Sequence, residues 1–132
     1  MISTKGRYAL RVMIDLAEHC EDAAVPLKDI AGRQEISKKY LENIVSALVR
    51  GGLIKGSSGK GGGYVLCRAP EEYSVGEILE LTEGSLASVA CLAKGAAACP
   101  RASICKTLPL WNEFDSMVHD FFFTKKLSDL IS

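Results

Sequence analysis

The chain has 132 residues, of which 48% are hydrophobic and 24% charged, and its formal net charge is zero. This length can bury one compact core, and no apolar stretch approaches the ~20 residues needed to span a bilayer, so we expect a soluble cytoplasmic protein with no secretory leader and no membrane contact. The zero charge hides two unlike halves. Residues 1–68 hold 11 Lys and Arg against 7 Asp and Glu, a net of +4, whereas residues 69–132 hold 5 against 9, a net of −4. The basic half is suited to a polyanion.

The first predicted element is a helix from Ser3 to about Cys20, with apolar residues at helical spacing. Lys5 and Arg7 lie near its start and could reach a phosphate group, although two surface cations are more often only solvated. Cys20, like Cys67 further along, lies in or beside an apolar segment, and we expect both thiols to be buried and inert.

Residues 27–50 predict a helix-turn-helix. A short helix from Leu27 to Arg33 is followed by a turn at residues 34–36, and Ser37 can cap a second helix because its hydroxyl accepts a free backbone N–H. The apolar stripe of that second helix consists of Leu41, Ile44, Val45, Leu48 and Val49. Its N-terminal end shows polar and cationic groups to solvent, which is the geometry of a helix that enters a DNA major groove.

A glycine-rich hairpin follows, with strands at residues 53–54 and 64–66 around a loop at residues 56–63. Glycine lets a backbone approach a phosphate chain closely, and Lys60 adds one positive charge near the tip. Directly after a helix-turn-helix, the hairpin predicts a DNA-contacting wing, the alternative being a flexible loop with no ligand. A nucleotide phosphate loop would need a GK[ST] ending and a following helix. We predict contacts with double-stranded DNA from Ser37, Lys38, Lys39, Tyr40 and Glu42 on the helix and from Ser58, Gly59 and Lys60 on the wing.

The second half begins with a capping box, Ser74 with Glu77, at the start of an amphipathic helix. Residues 85–104 lack secondary-structure signals, and Thr107 and Pro109 then mark the start of a long last helix. This helix is more apolar than a small domain can cover, so we predict that it forms a homodimer; the alternative is that it folds back on its own domain. The predicted dimer contacts are Leu110, Phe114, Met117, Val118, Phe121 and Phe122, with Trp111 and Phe123 widening the stripe.

The predicted fold class is therefore mainly α with a small β-wing. A winged helix-turn-helix DNA-binding domain spans residues 1–70, and a cysteine-containing sensor loop with a long C-terminal dimerisation helix spans residues 71–132.

Five blocks in this order carry a resemblance to a known family: ISTKGRYALRVMIDLA, LKDIAGRQEISKKYLENIVSALVRGGLIK, GKGGGYVL, SVGEILELTEG and LPLW. Together they resemble the IscR/NsrR/CymR family of bacterial winged-helix regulators over essentially the whole chain. The resemblance implies a homodimeric transcription factor. For members with three clustered cysteines it also implies an iron–sulfur cluster held between the wing domain and the dimer helix.

By this resemblance the cluster ligands are Cys91, Cys99 and Cys105, and the cofactor is a 2Fe–2S or 4Fe–4S cluster. Thiolates bind iron well, and cysteines this dense in a cytosolic chain point to metal or redox chemistry more often than to structural disulfides. A fourth ligand does not transfer. Leu108 stands where IscR-like members place a histidine, and residues 6–8 offer no aspartate of the NsrR-like kind.

Other interpretations of the thiols stay open. They could form a thiol/disulfide redox switch, or they could bind zinc, which prefers four ligands. A CymR-like regulator controlled by a partner protein has no cofactor, which suits members lacking these cysteines. An enzyme is not expected, because no nucleophile, paired carboxylate or histidine constellation stands at useful spacing. The favoured interpretation is a cluster-sensing transcription regulator of iron–sulfur assembly, iron or stress genes.

Overall fold

The computed structural model describes residues 2–19, 23–59 and 61–131. The regular elements are α1 (Thr4–His19), α2 (Leu27–Gln34), α3 (Lys38–Arg50), β1 (Ile54–Ser57), β2 (Gly63–Leu66), α4 (Val75–Glu83) and α5 (Leu108–Thr124). Short 3-10 turns lie at Pro70–Glu72, Ala90–Leu92 and Leu127–Leu130. The predicted fold class is confirmed, since five helices accompany one small antiparallel sheet in the described part of the chain.

The core forms where α1 and α4 pack against the helix-turn-helix. Four residues of the predicted stripe on α3, from Leu41 to Leu48, are buried, but the prediction for Val49 is wrong because its side chain is 39% exposed. Val49 follows Leu48 and so lies about 100° further round the helix, outside the buried face. Ala47 is buried in its place.

The wing is a two-stranded hairpin anchored to the chain before α2. Ile54 pairs with Leu66 and Ser57 with Gly63, so the strands extend further toward the tip than the sequence predicts. Tyr64 and Val25 exchange backbone hydrogen bonds of 2.9 Å in both directions. These bonds tie the base of the wing to the segment that leads into the helix-turn-helix.

Tyr73 joins the base of the wing to the end of the chain. Its side chain is fully buried, and its hydroxyl donates to the Leu53 carbonyl at 2.6 Å and accepts from the backbone N–H groups of Cys67 and Arg68. Its own carbonyl accepts from Leu127, which is also fully buried. The segment after α5 therefore returns to the core.

The expectation that Cys67 is buried is wrong, because its side chain is exposed. The strand β2 ends one residue earlier, and only the backbone of Cys67 faces inward, toward Tyr73. Cys20 lies outside the described residues. The division of the chain at residue 70 stays a prediction.

Candidate nucleic-acid interface and cysteine loop

The start of α3 is set by local hydrogen bonds. Ser37 is the N-cap, as predicted, and its hydroxyl oxygen accepts from the Tyr40 backbone N–H at 3.2 Å. The preceding turn places Glu35 at φ 54° and ψ 46°, a left-handed backbone conformation that residues other than glycine rarely adopt. Its backbone N–H donates to the Ala31 carbonyl and closes the end of α2. The angle between the two helices depends on this turn.

A buried carboxylate on α1 forms hydrogen bonds with the residues that precede this turn. Asp15 is fully buried, and Arg33 donates two hydrogen bonds to it, at 2.7 and 3.0 Å, while the Gln34 amide donates a third at 2.9 Å. Burial raises the pKa of Asp15, but the bonds from Arg33 and Gln34 outweigh burial and hold this pKa below its ordinary value of 3.8. Arg11 in turn donates to the Gln34 side chain at 3.1 Å. This network links the first helix to the end of α2.

The five predicted contact residues, residues 37–40 and 42, are all exposed and lie at the N-terminal end of α3. Tyr40 is 36% exposed because its ring packs edge-on against Tyr8, with centroids 5.7 Å apart. Arg11 lies over the other ring, 5.0 Å from the Tyr8 centroid. Tyr40 therefore flanks the surface rather than standing at its centre.

Three further polar residues of α3 are exposed but are not in the predicted contact set. Asn43, Ser46 and Arg50 are exposed and continue the line of Lys39 at i+4, i+7 and i+11. Arg50 donates to the Ser46 hydroxyl at 3.3 Å. Helical spacing in the sequence already places these residues off the apolar stripe, because the face opposite the core is equally periodic.

The wing lies beside this face. Ser58 and Gly59 are exposed at its tip, and Gly59 has a φ of 88°, which a residue with a side chain would adopt only under strain. Lys60 lies outside the described residues. A groove of about 380 Å³ separates α3 from the hairpin, and its lining includes Glu42 on the helix and Tyr64 on the strand.

The cysteine loop, residues 85–107, has one short turn and no helix or strand. Cys91 is exposed, Cys99 and Cys105 are partly exposed, and all three thiols are free. Across residues 2–19, 23–59 and 61–131, no three His, Cys, Asp or Glu side chains converge in a way that could hold a metal ion. The structure therefore places the three predicted ligands in one loop but does not bring them together.

Cys105 lies next to the start of α5. The Thr107 hydroxyl is 3.4 Å from its Sγ, and hydrogen bonds from that hydroxyl and from the backbone N–H groups of Thr107 and Leu108 lower the pKa of this thiol. Thr107 occupies the predicted N-cap position, yet its hydroxyl makes no capping bond. A thiol at the N-terminus of a helix has more thiolate character and reacts more readily.

The loop is attached to α4 and α5 by a few polar contacts. The Ser88 backbone N–H donates to Asp115 at 3.0 Å, and the Lys94 ammonium lies 3.5 Å from Glu80. Between the loop and these helices is a cavity of about 350 Å³, lined in part by Asp115 and His119. The Leu108 side chain carries no donor atom for a metal.

The predicted stripe on α5 divides into two faces. The half-buried face, which turns toward its own chain, holds Trp111, Val118, Phe122 and Phe123. The exposed face holds Leu110 (56% exposed), Phe114 (42%), Met117 (65%) and Phe121 (57%). None of the residues of α5 is fully buried. The exposed face is a continuous apolar stripe, because its members recur at i, i+4, i+7 and i+11.

Within residues 2–19, 23–59 and 61–131, no helix is both long enough and apolar enough to cross a membrane.

Residues 2–132 match the model of the Rrf2 family, described as an iron-dependent transcriptional regulator. The chain is 35% identical over 131 residues to the HTH-type transcriptional regulator IscR of Pectobacterium carotovorum, an alignment covering 99% of this chain and 79% of that protein.

Solved structures of similar proteins superpose over nearly the whole chain. CymR, the global cysteine regulator of B. subtilis, is 35% identical, with a TM-score of 0.82 and coverage of 98% of this chain and 95% of that one. IscR of T. potens is 33% identical, with a TM-score of 0.78 and coverage of 98% and 85%. The oxidised form of Staphylococcus aureus CymR is 35% identical, with a TM-score of 0.74 and coverage of 98% and 94%.

Proposed function

Because the chain belongs to the Rrf2 family of transcriptional regulators, we propose that it binds double-stranded DNA as a homodimer through α3 and the wing, and that Cys91, Cys99 and Cys105 form its sensor. The observation that carries the DNA-binding part is the capped, outward face of α3, where polar and cationic side chains stand beside a glycine-rich wing. Like its relatives, the chain is a transcriptional regulator and not an enzyme.

The chemistry of the outward face suits both base and backbone recognition. The Glu42 carboxylate can accept from a cytosine amino group, whereas Lys38 and Lys39 can donate to phosphate or to guanine edges. On the wing, Ser58, Gly59 and Lys60 are proposed to contact the backbone or the minor groove.

Two variants test this footprint by fluorescence anisotropy with duplex DNA. Lys60→Ala should weaken binding to all sequences alike and lower the salt slope by about 1, whereas Glu42→Ala should reduce the discrimination between sites. Lys126→Ala and Glu71→Ala remove the same charges from exposed positions in the acidic half and serve as matched controls. If both test variants bind like their controls, the footprint is wrong.

The exposed stripe on α5 supports the dimer. Full burial of one such side chain is worth roughly 1.5–3 kcal/mol, and about half of that remains available because each is about half exposed. Four side chains on each of two symmetric protomers then supply on the order of 6–12 kcal/mol before the entropic cost of association. That is comparable to the ~4–15 kcal/mol cost of association, so the stripe supports a dimer, which would present two copies of α3 to a palindromic site.

For the sensor, the donor chemistry fits an iron–sulfur cluster: three free, solvent-accessible thiols lie in one loop that no core packing constrains. The arrangement fits only after the loop rearranges, since the thiols do not converge in this structure. Cys91, Cys99 and Cys105 would hold the group, and the fourth position is left to a donor outside this set. A 2Fe–2S or 4Fe–4S cluster would supply one-electron redox chemistry and sensitivity to oxidants. The contribution of this chain is a loop whose order can be coupled to the position of α5.

Anaerobic purification with iron and sulfide analysis and a visible absorbance spectrum tests the sensor. Alanine at position 91, 99 or 105 should abolish the absorbance, whereas Cys67→Ala and Cys20→Ala should keep it. Iron-free protein from anaerobic cells, or zinc alone in the site, would refute the cluster without affecting the DNA-binding proposal.

A thiol switch without a cluster is the second candidate, and a specific observation favours it. All three thiols of the loop are free and at least partly exposed, so an oxidant can reach them without any rearrangement of the core. The similar CymR of S. aureus is known in an oxidised form. In this case the iron-free protein would respond to peroxide with a loss of titratable thiols and a matching change in DNA affinity. A CymR-like partner-regulated factor would show neither response.

A further inference from the structure

The cavity between the start of α1 and α3, which we call the α1–α3 cavity, has an unusual charge. It has a volume of about 220 Å³ and is lined by Lys5, Tyr40, Asn43, Ile44, Ser46 and Arg50. Two of these side chains are cations and none is a carboxylate. Neither Lys5 nor Arg50 takes part in an ion pair with any of the described residues.

The polar groups of this cavity are all hydrogen-bond donors or can act as donors. Arg50 carries a fixed fork of N–H groups, Lys5 carries an ammonium, and the side chains of Tyr40, Asn43 and Ser46 each have an O–H or N–H to give. Such a set matches an anion with several acceptor oxygens, and phosphate is the common one.

The position of Lys5 is held by contacts at the start of α1. The Ser3 backbone N–H and hydroxyl both donate to the Glu83 carboxylate, at 2.8 and 2.7 Å, which fastens this end of the helix to the end of α4. Gly6 lies so close to Glu83 and Leu79 that a Cβ there would collide with the Glu83 side chain. Glu83 is thereby occupied with Ser3 and is not among the residues lining the cavity.

The two sides of α3 differ in a way that selects the ligand. The wing-side groove contains the Glu42 carboxylate together with Arg50, whereas among the described residues only Lys5 and Arg50 bring charge to the α1–α3 cavity. When a helix lies in the major groove, its two sides face the two phosphate backbones that border the groove. The α1 side is the one whose charge suits a phosphate.

We propose that the α1–α3 cavity is a phosphate site that a backbone phosphate of duplex DNA occupies when α3 lies in the major groove. This inference rests on the proposal that α3 reads DNA. It assigns Lys5 a direct role in binding and separates it from Arg7, which lies two positions on, about 200° round the helix, and points to solvent. The site holds the protein in register and contributes nothing to the choice of sequence.

Salt dependence of binding measures this contact. Each phosphate neutralised adds about 0.9 to the slope of log affinity against log salt, so Lys5→Ala should lower that slope by about 1 per bound protomer. At 0.1 M salt this corresponds to a loss of about eightfold in affinity per protomer, equal for specific and non-specific duplexes. Arg7→Ala is the matched control, because it removes one cation from the same turn of α1 on the side away from the cavity.

A coupling experiment identifies the phosphate itself. Neutral methylphosphonate linkages are placed one at a time along one half-site. At one backbone position the methylphosphonate should cost as much affinity as Lys5→Ala, and the two changes together should cost no more than either alone.

The outcomes separate this inference from the proposed function. Wild-type protein that binds no duplex would contradict the proposed function. Wild-type binding with equal slopes for Lys5→Ala and Arg7→Ala, or with additive losses at every methylphosphonate position, would refute the phosphate site alone. The free protein is also titrated with inorganic phosphate at constant ionic strength. A Lys5-dependent shift of the Asn43 and Ser46 amide resonances, with no coupled backbone position in the DNA, would assign the cavity to free phosphate and overturn its assignment to DNA.

Discussion

Replacing Asp15 with asparagine is expected to lower the free energy of unfolding by about 2 kcal/mol at pH 7, although the side chain keeps its shape. The carboxylate is fully buried and accepts three hydrogen bonds, two from Arg33 and one from Gln34. A bond to a charged partner contributes about 1.5–3 kcal/mol, and asparagine keeps one acceptor oxygen while turning an amide N–H₂ toward the guanidinium. The loss is smaller than for a fully buried pair because the Arg33 side chain is 36% exposed and water compensates part of it.

The pH dependence supplies a second, independent signature. The pKa of Asp15 is lower in the folded protein than its ordinary value of 3.8, so the ionised carboxylate stabilises the folded state. This contribution is complete above pH 4–5, roughly, and is lost progressively as the pH falls through 3.8 toward the lower folded pKa. The difference between wild type and Asp15→Asn should therefore shrink on acidification.

Urea unfolding, followed by circular dichroism at several pH values between 7 and 3, measures both effects. Protomer concentration must be equal throughout, because a dimer gains stability with concentration. The control is Glu18→Gln, an equal loss of charge at an exposed position on the same helix, which should change stability by less than about 0.5 kcal/mol. Equal midpoints for the two variants, or a difference that persists unchanged at pH 3, would refute the role of the buried carboxylate.

Three further predictions concern the turn, the wing base and α5. Glu35→Gly should raise the free energy of unfolding by up to about 1 kcal/mol in thermal or urea unfolding, because glycine adopts the left-handed conformation without strain; a loss of stability would contradict this. Tyr73→Phe should lower it by about 1–3 kcal/mol, since the hydroxyl serves three backbone groups that would be left unpaired, and unchanged stability would show that water replaces them. Met117→Asp should give monomers in sedimentation velocity, while Asn112→Asp, which adds the same charge on the opposite side of α5, should remain dimeric; a dimeric Met117→Asp protein would make the stripe an ordinary surface.

Local spacing in the sequence was sufficient for most of the regular elements. The N-cap at Ser37 and the capping box of Ser74 with Glu77 were both predicted and are both present, because these hydrogen bonds join residues only three positions apart. The irregular segment between α4 and α5 was predicted for the same reason, as it lacks any apolar period.

Local spacing does not predict the conformation of the cysteine loop. Its sequence establishes three thiols within 15 residues, and the resemblance supplies a use for them, but neither determines whether they meet. Here the three thiols are free and do not converge, and the Cys105 thiol is hydrogen-bonded to the Thr107 hydroxyl. A few polar contacts with α4 and α5 do not set the relative positions of the three thiols, so the ligand set and the cluster are proposals.

Tertiary structure alone decided which charged side chains are buried and which charges share a cavity. Asp15 reads in the sequence as one more polar residue on a helix, and its burial depends on Arg33 and Gln34, which are 18 and 19 positions away. In the sequence, Lys5 and Arg7 are two similar cations near the start of α1. The packing of α1 on α4 directs only Lys5 toward α3. A helical period states which residues share a face, but the rotation of each helix against its neighbours is set by the fit of side chains from distant parts of the chain.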